Sequence, residues 1–229
     1  MDTENNIVCS FCVMDTSVPD IIFDKNNQCQ FCKNQIERIA FEKQNYPNYL
    51  EKLSHKINKN SKKEKYDCII GVSGGVDSTY VAFYVKKVLN LNPLAIHLDN
   101  GWNSELSVYN IQNCLDILEI DLITHVIDWN EFKLIQKALL KSSITNLEIV
   151  SDHAINALLI KTAAKYKIEY IINGSNTSTE GIMPSSWMES NTNKQLIKSI
   201  YKKFYPNNKI KSLPTLSLLE FFYYFFIKR

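Results

Sequence analysis

Apolar and polar positions alternate along this chain in blocks, and the blocks change character near residue 66. From there, short apolar runs appear at 67–72 (DCIIGV), 93–98 (PLAIHL), 121–127 (DLITHVI) and 169–173 (EYIIN). Each is short enough for a strand and is bounded by turn-forming residues. Between them lie helical stretches over 76–89, 104–119, 130–141 and 152–166. Strands alternating with helices call for crossover connections, so the expectation is an α/β fold with a parallel sheet and flanking helices. Ligands of such sheets sit beyond the carboxyl ends of the strands. Segments 73–78, 99–103 and 173–180 fall there.

Four regions are expected. Residues 1–40 form a small cysteine-bearing module, 41–65 a Lys-rich helix and linker, 66–205 the α/β domain, and 206–229 an apolar C-terminal helix. That last stretch contains Glu220 and falls short of the roughly 20 apolar residues that span a bilayer. The length of 229 residues suits one good-sized core plus the module. The N-terminus is acidic and polar, without the marks of a secretory or transit signal, so a cytoplasmic setting with reduced thiols is expected. A net charge of +2 gives no reason to expect nucleic acid or a membrane as a partner.

Of six cysteines, four are paired as Cys9-x2-Cys12 and Cys29-x2-Cys32, with sixteen residues between. Each pair lets one tight turn aim two thiolates at a single ion, and two turns complete a tetrahedron of soft ligands. Four protein ligands close the site, so a structural zinc ribbon (or iron in the same cage) is expected, with buried free thiols or a redox pair as the alternatives. A module of about 30 residues cannot build a core alone, and metal binding supplies its folding energy. Cys68 and Cys114 read as small buried hydrophobes.

Ser73-Gly74-Gly75-Val76-Asp77-Ser78 follows the first strand and opens a helix. Its glycines let backbone approach a polyphosphate, and helix-start N–H groups favour an anion. Both serines can donate to phosphate oxygens. Asp77 reads as a Mg²⁺ holder or a helix cap. The lysine of a Walker A loop is missing. Such a grip suits a reaction in which pyrophosphate leaves and AMP is transferred.

This string resembles the PP-loop ATP pyrophosphatase superfamily, of adenine nucleotide alpha-hydrolase fold. By that resemblance HLDNGW (97–102) holds the adenosine part, with Asp99 on ribose or base; the alternative is an Asp-Asn-Gly turn. Further strings resemble the N-acetyl sugar amidotransferase family: CSFCVMDTSVPDIIFD, HLDNGWNSE, SDHAI (151–155) and NGSNTSTEGIMPSSW (173–187). The resemblance implies an ATP-dependent enzyme that turns a sugar N-acetyl group into an acetamidino group, in lipopolysaccharide O-antigen or nonulosonic (pseudaminic-type) acid biosynthesis. ATP and Mg²⁺ would adenylylate the acetamido oxygen, and ammonia would displace AMP. Asp77, His153 and Glu180 are the catalytic candidates, with Asp152 beside them. Asn173, Gly174 and Thr177 are candidates for phosphate or substrate contact, and Trp102 and Trp187 for stacking on sugar. Ser151 and Asp152 also read as a helix cap, and His153 as packing in its first turn. Asp2 stands where an N-terminal cysteine glutaminase needs cysteine, so a separate glutaminase subunit with a cyclase-like ammonia channel is implied. Family members usually run longer, and the apolar C-terminal stretch reads as a helix that packs on a further C-terminal part or on a partner. A PP-loop tRNA-modifying enzyme (thiolation or lysidine type) is the alternative, followed by a non-catalytic paralogue and by a synthetase acting on a small carboxylate.

Overall fold

A computed structural model describes residues 6–61, 65–144, 146–176, 180–184, 187 and 194–224. Thr177 lies outside the described residues. The chain divides into two compact units: Met1–Tyr49 with Ser175–Met188, and Leu50–Gly174 with Glu189–Arg229.

In the first unit, two isolated antiparallel bridges, Val8 with Asp15 and Phe23 with Cys29, frame the cysteine turns. Helix α1 (Gln30–Asn45) starts directly after Cys29, so its first turn carries Cys32 inward. The buried cluster here is three cysteines, with Cys12, Ile21, Phe23, Phe31 and Ile182 packed around them. That leaves the segment little apolar surface of its own.

The second unit holds a parallel sheet of β1 (Cys68–Gly71), β2 (Pro93–Asp99), β3 (Leu122–Val126) and β4 (Ile171–Ile172), in the order β3-β2-β1-β4. The two inner strands are almost wholly buried, as expected of a sheet covered on both faces. Cys68, Ile70, Val72 and Ala95 face α2 (Tyr49–Asn60), α3 (Val76–Phe83) and α4 (Glu105–Leu118). Ile69, Leu94 and Ile96 face the other way, onto Leu159 and Ala163 of α6 (Ile149–Tyr166). A third cluster joins Leu98 and Ile127 to α5 (Trp129–Lys141), α6 and α7 (Lys194–Phe204). Strand order reverses between β1 and β4, and a crevice opens at such a switch point.

Several elements differ from the sequence expectation. The helix expected over 76–89 relaxes into a π-helical turn at Tyr84–Val88, where the Leu89 N–H reaches the Tyr84 carbonyl at 2.9 Å. The strand expected over 169–173 shortens to two residues. Within the described part of 206–229 the helix is α8 (Leu218–Phe222). The segment before it is held open by Glu131, whose carboxylate accepts from the N–H groups of Lys211 (2.6 Å), Ser212 (2.9 Å) and Leu213 (2.8 Å). Pro214 then brings no N–H and disfavours helix in the residue before it.

Candidate functional site

The carboxyl end of β1 runs straight into the glycine loop. Gly74 has φ +77°, and a Cβ there would stand 2.3 Å from the Ser107 carbonyl oxygen of α4. Only glycine fits that conformation and that proximity together. The Asn110 side chain donates to the Gly74 carbonyl at 3.3 Å, pinning the loop from the same helix. Ser78 Oγ accepts from the Ser73 N–H (3.2 Å) and donates to the Gly75 carbonyl (3.1 Å), which closes the loop on itself.

Among the described residues none accepts from the N–H groups of Gly74, Val76, Asp77 or Ser78. Three of these begin α3, where helix donors stand free and the helix dipole favours negative charge. Val76 and Asp77 are exposed, so the donors face solvent. The arrangement is an open anion cradle of four amides with two hydroxyls beside it.

Two further segments lie at the same end of the sheet. A Cβ on Gly174 would lie 3.4 Å from the Asp77 carbonyl carbon and the Ser78 nitrogen, so the chain leaving β4 passes against the start of α3 and brings exposed Asn173 with it. The loop after β2 is an Asx turn, with Asp99 Oδ1 accepting from the Gly101 N–H (2.9 Å) and from Asn103 Nδ2 (3.1 Å). Asp99 is thus the turn residue that the sequence leaves as one alternative, and its second oxygen has no partner among the described residues. Trp102 lies edge-on to Phe132 at 5.1 Å and is half exposed.

Helix α6 begins beside the same loop, with Asn100 Nδ2 donating to Ser151 Oγ at 3.2 Å. Its cap is Glu148, without a side-chain bond, so Ser151 and Asp152 sit inside the first turn and do not cap it. Burial raises the Asp152 carboxyl above its ordinary range, helped by the nearby Glu148 charge. His153, a catalytic candidate from the sequence, stands two residues on from Ser151 in the same turn. His153 is buried, and its Nε2 accepts from the Leu216 N–H at 3.2 Å, so the ring anchors the C-terminal segment. His97, Asn103 and Asn110, which sequence reasoning passed over, touch the glycine loop or its neighbour. Their signal was weak because a histidine inside strand two and asparagines in the loop and helix after it look like ordinary composition.

Glu180 belongs to the first unit, where its carboxylate accepts from the Asn176 N–H at 3.3 Å and its own N–H donates back to Asn176 at 2.8 Å. Trp187, also there, is half exposed.

The cysteine quartet is assembled in the first unit. Sulfur separations are 3.9 Å for Cys9 with Cys32 and 3.8 Å for Cys12 with Cys29, and all four sulfurs lie within 4.8 Å of one another. Tetrahedral zinc with 2.3 Å bonds requires sulfurs about 3.8 Å apart. A four-iron cluster puts each thiolate on a different iron and spreads them wider. The donor set therefore fits one zinc-sized ion. Burial alone would raise the Cys9 thiol, but N–H groups of Cys12, Cys29 and Phe11 outweigh it and bring it down to about 6. Burial pushes Cys32 the other way, and neighbouring thiols add to it.

The family described as NAD synthase matches residues 47–183. An uncharacterised protein of Methanocaldococcus jannaschii is 30% identical over 121 residues, 50% of this chain and 41% of that protein. The chain thus spans about two fifths of the length of the curated relative it matches. Among solved structures, an NH3-dependent NAD synthetase from Campylobacter jejuni covers 58% of each chain at 22% identity, with a TM-score of 0.42. The NMN synthetase of Francisella tularensis covers 78% of this chain and 92% of its own at 14% identity, TM-score 0.38. A U34-tRNA thiolase from Methanococcus maripaludis, with its [4Fe-4S] cluster, covers 98% and 72% at 15% identity, TM-score 0.40. Superpositions this loose locate no substrate.

Proposed function

Since this chain belongs to the NAD synthase family, we propose that it uses ATP to adenylylate the acetamido oxygen of an N-acetyl sugar and passes the activated carbon to ammonia. The observation that carries the reading is the cradle of free amides at Gly74–Ser78. It offers fixed donors to a departing pyrophosphate and has no lysine to hold a transferred γ-phosphate. The amide oxygen attacks the α-phosphorus and pyrophosphate leaves, giving an imidate-type adenylate. Ammonia adds to that carbon and loses a proton, and AMP departs with the former amide oxygen. The product is an amidine.

Asp77, exposed at the mouth of the cradle, would hold Mg²⁺, which neutralises charge on the phosphates. The open oxygen of Asp99 suits a ribose hydroxyl. Asn173 and Gly174 bring backbone and amide groups to the cradle's edge. Asp152 is a candidate for proton transfer here, and Glu180 keeps that role on the sequence resemblance alone. The sugar as substrate rests on the sequence resemblance, as do a partner glutaminase and its ammonia channel. Zinc in the cysteine cage is structural in this reading.

The family match favours a second reading, amidation of a carboxylate through the same adenylate. One experiment separates the two. The chain is incubated with ATP, Mg²⁺, ammonia and a panel of UDP- or CMP-linked N-acetyl sugars and small carboxylates, and AMP and aminated product are measured. Acetamidino product supports the first reading, and amide formation with sugars ignored replaces it with the second. The Asp77→Asn variant is expected to lose AMP release by at least ~100-fold with its melting temperature kept, since charge stabilisation at such sites is worth several kcal/mol. Undiminished AMP release would remove Asp77 from the mechanism.

A further inference from the structure

Between the glycine loop and the Asp99 turn runs a chain of side-chain hydrogen bonds with a fixed polarity. Its fixed point is Asp99, whose carboxylate only accepts. Asn103 must therefore present its amide NH2 to Asp99 Oδ1, at 3.1 Å. The same Nδ2 lies 3.3 Å from His97 Nε2, which must then accept. The proton of the imidazole is left on Nδ1, 2.9 Å from the Val72 carbonyl oxygen. Val72 is the residue before Ser73. Its N–H still continues the sheet, donating to Ile96 at 3.0 Å, while its carbonyl turns to the imidazole. The ring is buried, 7% exposed, so both bonds are shielded from competing water.

Three of the four groups are close in sequence on β2 and the loop after it, and the fourth, Val72, directly follows β1 and precedes the phosphate cradle. We propose that His97 is a positioning residue that fixes the distance between the cradle and the Asp99 turn, so that one ATP molecule can engage both. The inference rests on the adenylylation reading and deepens it. His97 touches neither substrate nor reacting atoms. It acts by coupling two half-sites, each of which binds its own fragment of ATP.

That coupling makes the test specific. ATP spans both half-sites, whereas pyrophosphate meets only the cradle and AMP reaches the Asp99 turn without closing the gap. Binding of ATP–Mg²⁺, pyrophosphate–Mg²⁺ and AMP is measured by calorimetry on the full chain and on His97→Leu, His97→Asn and His97→Gln. The leucine variant removes both bonds, and losing two buried hydrogen bonds is expected to weaken ATP by about 10- to 100-fold. Pyrophosphate and AMP are expected to stay within about twofold, because each uses one loop only. Asparagine can keep the bond to Val72 and glutamine the one to Asn103, so each should recover part of the affinity.

Unchanged ATP binding in His97→Leu overturns the proposal while leaving the adenylylation reading intact. So does a parallel loss of all three ligands with a lowered melting temperature, which marks a residue that merely props the fold. Failure of the unaltered chain to bind ATP overturns the adenylylation reading, and this inference with it.

Discussion

At the scale of single residues, the phosphate cradle is set by how little room it has. Gly74 combines a left-handed φ of +77° with α4 backbone that would meet a Cβ at 2.3 Å. A Gly74→Ala substitution cannot be absorbed by a rotamer change, because the obstacle is the Ser107 main chain. Left-handed backbone costs a non-glycine residue about 1–2 kcal/mol, before the clash is counted. The loop is expected to shift and take its amides with it, weakening ATP and pyrophosphate alike by at least ~10-fold, as read by calorimetry. This contrasts with His97, where the fragments should keep their affinity. Gly75→Ala is the control, since a Cβ there would meet only the Ser73 hydroxyl at 3.5 Å. Equal affinity in the Gly74 variant would show that the cradle does not depend on that close approach. The loop itself was legible in the sequence because glycine, serine and aspartate follow a strand and precede a helix in one contiguous string. The residues that hold it were not. His97 and Asn110 act on the loop from 25 and 36 residues away, and no local pattern encodes which carbonyl they will meet. His153 shows the same limit in reverse, as its partner Leu216 is 63 residues on.

Elements were legible where burial repeats with a clear period. Strand β2 and helices α4 and α5 fall within a residue or so of their sequence positions, because they are buried on a regular face and have good ends. Ser104 and Asp128 accept from N–H groups three residues on. Helix α7 was missed although Leu196, Ile197, Ile200, Tyr201 and Phe204 mark one helical face in the sequence. The C-terminal segment reads as apolar helix by composition, but Glu131 and Pro214 divert its backbone. Helix α8 survives through a capping box, in which the Ser217 N–H and hydroxyl donate to Glu220 Oε2 at 2.7 and 2.8 Å. Those donors lead in lowering the Glu220 carboxyl to about 2; Lys161 and Lys194, each 3.5 Å away, add to the effect. The ion pairs are partly open to water and contribute little. An unfolded glutamate titrates near ~4.3, so the stabilisation is complete above that and is lost as pH falls towards about 2. Hydrogen–deuterium exchange over residues 217–222, corrected for intrinsic rates, should accelerate across that window. Glu220→Gln should exchange faster at neutral pH and show no such step. A step that persists in the variant would assign the acid sensitivity to another carboxylate.

At the scale of the whole molecule, each of the two units closes its own buried cluster, by different physics. The second unit has three apolar clusters and a parallel sheet. The first has four cysteines and a few partly buried neighbours. Whole-chain averages hide such divisions. Segments 128–141 and 194–212 together hold nine lysines and two carboxylates, while the entire chain carries only +2. No helix among the described residues is long and apolar enough to cross a membrane. The difference in physics predicts separate responses to metal removal. If the cage holds one zinc ion, a strong chelator, or Cys29→Ser, strips a site whose binding energy is folding energy for a unit with so little core. Zinc content should fall from about one per chain to none, and hydrogen exchange over residues 6–45 should rise to unprotected rates. The sheet of the second unit gains nothing from the ion, so protection at Cys68–Gly71 and Pro93–Asp99 should be retained, together with pyrophosphate binding at the cradle. Iron at a stoichiometry of four per chain would replace the single-ion cage with a cluster. Loss of pyrophosphate binding on chelation would mean that the ribbon's metal supports the phosphate site after all, and the assignment of the cysteines to a purely structural role would fall.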